Sequence, residues 1–482
     1  MKNKKRSEHS EVRAKYLITT AIDYANDVIH IGHAYEKILA DSIARYLRIK
    51  NGEDSVGFVT GTDEHGSTNE KAAKARGVST LDHVTEISAK DREELDSLEI
   101  SYDRFIRTTD EDHVKIATDF FQKAYDNGDI YKGEYEGLYC EGCESYKTLT
   151  ELNEEGQCPI HPTREIQKYK EENYFFKWSG YSDFLKELVS SGDFVLPEGR
   201  RKEMLGFIEQ GIQDIPVTRP KYKLPWGITC PIDEDQVIYV WFDALINYFT
   251  FGSQNNLWDE DTNIVHFVGK DIARWHVLLW PAMLKSAGYK VPDKVYVHGF
   301  INLEGQKISK SLGNVIRPSE LVGKYGVDAV RYYLLRYGPI TEDVDISITQ
   351  FEEIYNGELA NGLGNTVARV AKLAENSGLD FGEHTSFGVD ALKGLEDNFR
   401  TDLALQSIWK KLAEIDKHIN ENEPWKIKDA DKLKVVLAPE VKGVREVADL
   451  LSPFLPKAAS VIRNQFSNKK ISSKESLFPR LF

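Results

Sequence analysis

The sequence predicts an α/β protein: a parallel-sheet domain, split by a cysteine-bearing insert and followed by an all-helical region. Three observations predict it. Runs of β-branched and aromatic residues alternate with helical spacing in two separate stretches, near 15–76 and 236–300. Between them, residues 120–229 hold three of the four cysteines, with many Gly, Glu and aromatic residues. From about residue 346 onward, apolar residues recur at three- and four-residue spacing.

In chain order, "KYLIT" (Lys15–Thr19) predicts a short buried strand. Ile38, Leu39, Ile43, Tyr46 and Leu47 mark a helix over Ala34–Lys50, stopped by Asn51-Gly52. "SVGFVT" (Ser55–Thr60) is a second strand, followed by the polar turn "GTDEHG" and a Lys- and Glu-rich helical segment. The rhythm returns with strands predicted at Gln236–Phe242, Asn263–Gly269 and Lys294–Phe300. "WHVLLWPAMLKSAG" is an apolar helix that must tolerate or kink at Pro281. "IYNGELANGLGNTVARVAKLAENSG" and "ALQSIWKKLAEIDKHINENEPW" are bundle helices. There is no internal repeat and no low-complexity segment.

At 482 residues, with 41% hydrophobic and 29% charged, the chain suits an ordinary globular protein of about three domains or subdomains. No stretch approaches the ~20 apolar residues of a membrane span. The charged start, "MKNKKRSEHSEVRAK", lacks an apolar core, so it is no signal peptide and is expected to fray. Four cysteines in this length argue against a secreted disulfide scaffold and for the cytoplasm. The net charge of −15 is mild evidence against nucleic acid, although a basic groove on an acidic protein is compatible with it.

Four motifs carry chemistry. His30, Gly32 and His33 lie in "HIGH", between the first strand and a helix, where parallel α/β sheets bind ligands and helix N-termini favour anions. Gly32 lets a flat ring or a phosphate approach. On these residues alone, the histidines divide evenly between phosphate donors and incidental loop residues; a metal pair is the weaker reading. "GQKISKSLGN" (Gly305–Asn314) sets Lys307, Ser309, Lys310 and Ser311 among small residues. A Gly-flanked loop of this kind suits a polyphosphate clamp, with a solvated charged loop as the bland alternative. Cys140 and Cys143, then Cys158 and His161 after fourteen residues, have strong tetrahedral zinc spacing. Four protein ligands would make that zinc structural. Asn361, Asn365 and Arg369 fall at four-residue spacing on a helix, and "NEPW" places Trp425 at an element end. Asn and Arg can read bases and Trp can stack on one, though a polar face with a packed Trp is the commoner case.

HIGH after the first strand, with KISKS after the last, resembles the signature pair of class I aminoacyl-tRNA synthetases. Within that class the chain resembles the methionyl-tRNA synthetase family over nearly its whole length. The resemblance implies a Rossmann-like nucleotide-binding domain with a zinc-bearing connective insert, followed by an α-helical anticodon-binding bundle. It implies Mg-ATP, L-methionine and tRNA(Met) as substrates, with His30, His33, Lys307 and Lys310 catalytic. ATP would meet His30, Gly32, His33, Gly269, Asp271 and Lys310. "TAIDYAND" implies Ile22 and Tyr24 at the methionine site, and "GTDEHG" implies Asp63 on the α-ammonium. "YVWFDALINY" implies Trp241, Ala244, Leu245 and Tyr248, and "VGKDIARWHVLLWPAML" implies Ile272 and His276. Read alone, Trp241 and Tyr248 are core packing. Many members have Phe before the helix histidine; this chain has Trp275, preceded by Arg274.

The zinc set resembles the one-knuckle variety, because Cys230 has no partner. Anticodon reading is implied for Asn365, Arg369 and Trp425, with Asn361 supporting. The expected divisions are 1–119 and 230–303 for the two catalytic halves, 120–229 for the insert, 304–345 for the KISKS loop and linker, and 346–482 for the bundle. Nothing matches a C-terminal dimerising OB-like domain, so a monomer is expected. The insert is too short for the editing domain of leucyl, isoleucyl or valyl enzymes. The alternatives are a cysteinyl enzyme, whose zinc ligands would surround the amino-acid pocket, and a non-catalytic tRNA-binding protein descended from a synthetase.

Overall fold

The computed structural model describes residues 14–147, 149–162, 164–308 and 314–481. Seven strands form the central sheet: β1 (Lys15–Thr20), β2 (Asp23–Tyr24), β3 (Val56–Asp63), β4 (Arg104–Arg107), β5 (Val195–Leu196), β6 (Thr262–Gly269) and β7 (Lys294–His298). Every pairing is parallel. The spatial order is β4-β3-β1-β6-β7-β5, with β2 prolonging β1 against the carboxyl end of β3. Tyr16 pairs with Val56 on one side and Asn263 on the other. All eight residues of β3 are buried, as expected of a strand covered on both faces. The chain winds from β1 towards β4 on one side and from β6 towards β7 on the other. The order therefore reverses between β1 and β6, and ligands bind such sheets there, at the carboxyl ends of the strands.

The helix after β1 runs over Ile31–Asn51, three residues earlier than its apolar spacing suggested. Gly52 ends it at φ 102°, its N–H bonding to the Arg48 carbonyl. The apolar helix expected around Pro281 opens as a wide π turn, Trp275–Leu279, and continues as Trp280–Ala287. Pro281 thus falls just after the π turn, where the regular hydrogen-bond ladder is already interrupted.

One element differs from its prediction. The run 236–242 is a strand only over Gln236–Ile238, paired antiparallel with Thr218–Pro220, and Val240–Ala244 is a short helix. Every residue from Gln236 to Tyr248 is buried, so no period separates the two structures.

The insert is built on an antiparallel sheet in the order Ser145–Lys147, Ile130–Cys140, Ile166–Phe176, Ile215–Pro216. Its long hairpin pairs Ile130 with Phe176 and Cys140 with Ile166. Phe120, Phe176, Trp178 and Leu185 share one apolar cluster with Phe242, Leu278 and Trp280. Helix Glu111–Asp126 passes through residue 120, and Val195 pairs with Val295 on the central sheet, so the insert is rooted in the core on both sides.

Beyond a small sheet (Ile301–Leu303, Gln306–Lys307, Val344–Ile346), the chain is helical, as predicted. Helix Val327–Tyr337 packs on the first helix. There Arg331 meets Asp41 at 2.7 Å, both fully buried, and also donates to the carbonyls of Leu98, Pro453 and Phe454.

Candidate active site

The HIGH turn is a helix cap built from imidazoles. The Gly32 N–H donates to His30 Nδ1 at 3.1 Å, and the His30 N–H donates to His33 Nδ1 at 3.1 Å. With each Nδ1 accepting, a neutral ring carries its proton on Nε2. The rings lie 3.9 Å apart, over a first turn free of acidic residues. Two imidazole donors and a helix N-terminus at the sheet's reversal point are the chemistry that suits an anion. A Cβ on Gly32 would lie 2.9 Å from the His30 ring, so the cap itself requires glycine.

Five rings, four of them buried and Tyr24 half-buried, wall the adjoining pocket. Trp241 stacks on Trp275 at 5.0 Å, and Trp275 on Trp178 at 6.3 Å. Tyr24 meets Trp241 edge-on at 6.4 Å, and His276 does so at 6.3 Å. Trp275 therefore extends the wall, and Arg274 lies 4.7 Å over its ring, anchored to Glu151 at 2.6 Å. His276 Nδ1 donates to the Ile272 carbonyl at 3.0 Å, so its Nε2 accepts from the Tyr248 hydroxyl at 2.8 Å. Burial holds the His276 pKa down, to about 4, so the ring is neutral. Tyr24, Trp241, Leu245, Tyr248 and Ile272 belong to one apolar cluster, and Ala244 is buried beside them. Ile22 is partly buried against the cluster of Leu17, Val59 and Ile106.

Asp63 ends β3 within electrostatic reach of Tyr24 and Asp243. Burial, then the charges of Asp243 and Glu144, push its pKa well above the ordinary carboxylate range. Among the described residues, its Oδ1 has no hydrogen-bond partner, and neither has the buried Tyr24 hydroxyl. A buried carboxylate with an unmet oxygen suits a cationic ligand group. The turn is held by the next residue: Glu64, fully buried, takes Arg107 at 2.6 and 3.0 Å, and its carbonyl accepts from Trp226 Nε1 at 2.6 Å.

At the carboxyl end of β6, Gly269 closes the strand with Asp271 beside it; a Cβ there would lie 2.8 Å from Asp271 Oδ1. The first N–H of the HIGH helix, from Ile31, donates to Ile316 at 3.0 Å. The chain just beyond the KISKS segment is thereby docked on the histidine turn. Lys307 pairs through its backbone with Asn302. Lys310 lies outside the described residues.

The metal quartet forms as spaced. Ligand atoms of Cys140, Cys143, Cys158 and His161 all lie within 4.8 Å of one another. Cys143 Sγ is 3.5 Å from Cys158 Sγ and 3.3 Å from His161 Nδ1. A tetrahedral zinc with bonds of about 2.0–2.3 Å sets such edges at roughly 3.5–3.8 Å. Gly142 is required here, since a Cβ would meet the His161 ring at 2.5 Å. Cys230 lies apart from the cluster, and burial pushes its thiol up, to about 11. The knuckle touches the pocket: Trp241 Nε1 donates to the Cys143 carbonyl at 3.4 Å, and the Tyr239 hydroxyl to that of Glu144 at 2.5 Å. The Glu144 carboxylate caps the helix after the Asp63 turn, taking the Thr68 N–H at 2.6 Å.

In the bundle, Arg369 lies 5.5 Å over the Trp425 ring and donates to Asn420 at 2.6 Å. Trp425 is 54% exposed, and Asn361 and Asn365 are exposed as well. Asn361 sits in a π turn, Tyr355–Gly364, that leads directly into Asn365.

Sequence reasoning missed His65, His113, Asp243, Glu144 and Trp226. His65 lay within a quoted motif and Asp243 within another, but nothing local marks them as partners of one another.

Known proteins resemble this chain in sequence and in fold. A family model described as tRNA synthetases class I (M) matches residues 16–170 and 162–371. A methionine–tRNA ligase of Clostridium perfringens is 41% identical over 96% of this chain and 74% of its own length. One from Thermosynechococcus vestitus is 39% identical, over 93% and 89%. A Mycobacterium tuberculosis methionyl-tRNA synthetase structure bound by methionyl-adenylate is 33% identical with a TM-score of 0.88, covering 96% of this chain and all of the other. The free-state structure of the same enzyme scores 0.80 at 31% identity, covering 98% and 99%. With a class I family model matched over most of the chain and ligases about 40% identical along nearly all of it, the chain belongs to the methionine–tRNA ligase family of class I tRNA synthetases.

Proposed function

We propose that this chain activates L-methionine with ATP, giving methionyl-adenylate and pyrophosphate, and then transfers methionine to the terminal adenosine of tRNA(Met). One observation carries this reading: an anion-binding imidazole cap adjoins a pocket that pairs an unmet buried carboxylate with an aromatic wall. In the first step a methionine carboxylate oxygen bonds to the α-phosphorus, and the bond from that phosphorus to the bridging oxygen breaks, releasing pyrophosphate. The chain supplies position and charge, as in other phosphate displacements. His30 and His33 donate Nε2–H to phosphate oxygens, Gly269 and Asp271 lie on the adenosine side, and Lys307 and Lys310 steady the leaving pyrophosphate. Mg2+ accompanies ATP and spreads the triphosphate charge.

Asp63 takes the α-ammonium. Tyr24, Ile22, Trp241, Ala244, Leu245, Tyr248, Ile272 and His276 form the methionine site, and polarisable sulfur against ring edges contributes ~0.3–1.5 kcal/mol. The quartet holds one structural zinc, since four protein ligands complete a tetrahedron. Arg369 and Trp425, with Asn361 and Asn365, receive the CAU anticodon. The proposed working unit is a monomer, in the cytoplasm. Among the described residues the one Cys/His quartet belongs to the insert, which favours methionine over cysteine as substrate.

The test is amino-acid-dependent ATP–pyrophosphate exchange without tRNA, with methionine against cysteine, leucine, isoleucine and valine. Methionine alone should support exchange. Exchange with a different amino acid keeps the class I chemistry and removes the pocket assignment; none at all leaves the non-catalytic tRNA-binding reading. Lys310→Ala should slow adenylate formation by roughly tenfold or more, about 1.4 kcal/mol, with methionine binding retained.

A further inference from the structure

Asp243 is buried with both carboxylate oxygens engaged. His65 Nδ1 lies 2.6 Å from Oδ2, and His113 Nε2 lies 2.8 Å from Oδ1. A carboxylate offers only lone pairs, so each ring nitrogen facing it carries a proton. All three residues are less than 10% exposed. The bridge joins three separate elements. His65 stands two residues after Asp63 on the turn that closes β3. Asp243 stands on the five-residue helix that also bears Trp241 and Ala244. His113 stands on helix Glu111–Asp126, with its Nδ1 3.2 Å from Thr250 Oγ1 on the next pocket element. Trp226 covers the outer side of His65 at 5.7 Å.

These contacts connect the two ends of the amino-acid site. One end is the Asp63 carboxylate and the other is the aromatic wall, whose Trp241 is carried on a helix of only five residues. Charge-assisted hydrogen bonds in a dry setting are stiffer than neutral ones. We infer that Asp243, bridged by His65 and His113, is a positioning residue that fixes the spacing between Asp63 and the Trp241 wall, and so sets the length of side chain the site accepts. This rests on the site being the methionine pocket. An apolar pocket separates ligands differing by one methylene by only about 10–200-fold, and it does so only if the wall cannot shift.

The experiment is ATP–pyrophosphate exchange by the full chain with methionine, S-methylcysteine (one methylene shorter) and homomethionine (one longer). Asp243→Asn keeps the shape but sets an amide N–H against a ring N–H. It should raise the methionine KM roughly tenfold, leave the ATP KM within about twofold, and lower the methionine preference over both homologues by roughly tenfold. The conservative replacements separate this from bulk disruption. Asparagine places its amide nitrogen where His Nδ1 was, and glutamine where Nε2 was. His65→Asn and His113→Gln should therefore retain the preference, while His65→Ala should lose it.

A folded Asp243→Asn enzyme with unchanged preference overturns the inference, as does an ATP KM that rises in step with that for methionine. If Asp243→Asn does not fold, the His65→Ala and His65→Asn pair decides by the same ratio. A parent chain that exchanges with a different amino acid overturns the proposed function before any variant is compared.

Discussion

Tyr248 donates its hydroxyl hydrogen to His276, because the other nitrogen of that ring already donates to the Ile272 carbonyl. The pair presents a neutral, oriented edge to the pocket. Tyr248→Phe leaves the ring but strips Nε2 of its donor, and it should raise the methionine KM several-fold with the ATP KM unchanged; steady-state exchange kinetics check this.

Burial lowers the His276 pKa to about 4 from an ordinary value near 6.5. The fold therefore binds fewer protons than the unfolded chain between these values. This contribution to stability is complete above about pH 6.5 and declines as pH falls towards 4. Denaturant melts at pH 5 and pH 7 should show a smaller difference in His276→Gln than in the parent.

Asp91 works in the opposite sense. It accepts from the Ile29 N–H at 2.9 Å, just behind the histidine turn, and burial raises its pKa to about 7. The folded chain keeps this proton after the unfolded chain has lost it. The stabilising contribution is full below about pH 4 and is lost as pH rises through 7, an effect of at most about 4 kcal/mol. Asp91→Asn keeps an acceptor for Ile29 and should melt higher than the parent at pH 8, with little difference at pH 5.

The cysteine–histidine quartet should return about one equivalent of zinc per chain by elemental analysis, and Cys158→Ser should abolish it. Because the knuckle carbonyls hold Trp241 and Tyr239, chelation should raise the methionine KM as well as lower the melting temperature. A metal-free chain that is folded and fully active would refute the site.

Asp41 and Arg331 are a fully buried ion pair between the first helix and the helical region. Asp41→Asn leaves the guanidinium short of a counter-charge and should cost about 3–5 kcal/mol in denaturant unfolding.

What could be read beforehand was local. HIGH, KISKS and the Cys-x2-Cys and Cys-x2-His pairs each place their chemistry within a few residues, where spacing alone constrains geometry. The β1, β3, β6 and β7 strands were legible from apolar runs bounded by turns, and the bundle from its period. The strand expected over 236–242 was not, because a run buried on all sides has no period to read. Nor could the spacing reveal that His65 meets Asp243 across 178 residues, or that His113 does so across 130. Those partners are assembled by the sheet order, and only the fold brings them together. The same holds for Trp275: as a letter it was a departure from a pattern, and as a ring it continues a stack.

That stack of Trp178, Trp275 and Trp241 spans the insert, the π turn and the pocket helix with no intervening residue. Its optical consequence is direct. Indoles at this separation share their excited states, so near-ultraviolet dichroism reports how the three rings are aligned. A ligand pressing on Trp241 would rotate one member of the set, and a loosened knuckle would free the same indole from the other side. The chain carries a built-in, label-free gauge of both events, and Trp275→Phe, which removes the middle ring, should silence it.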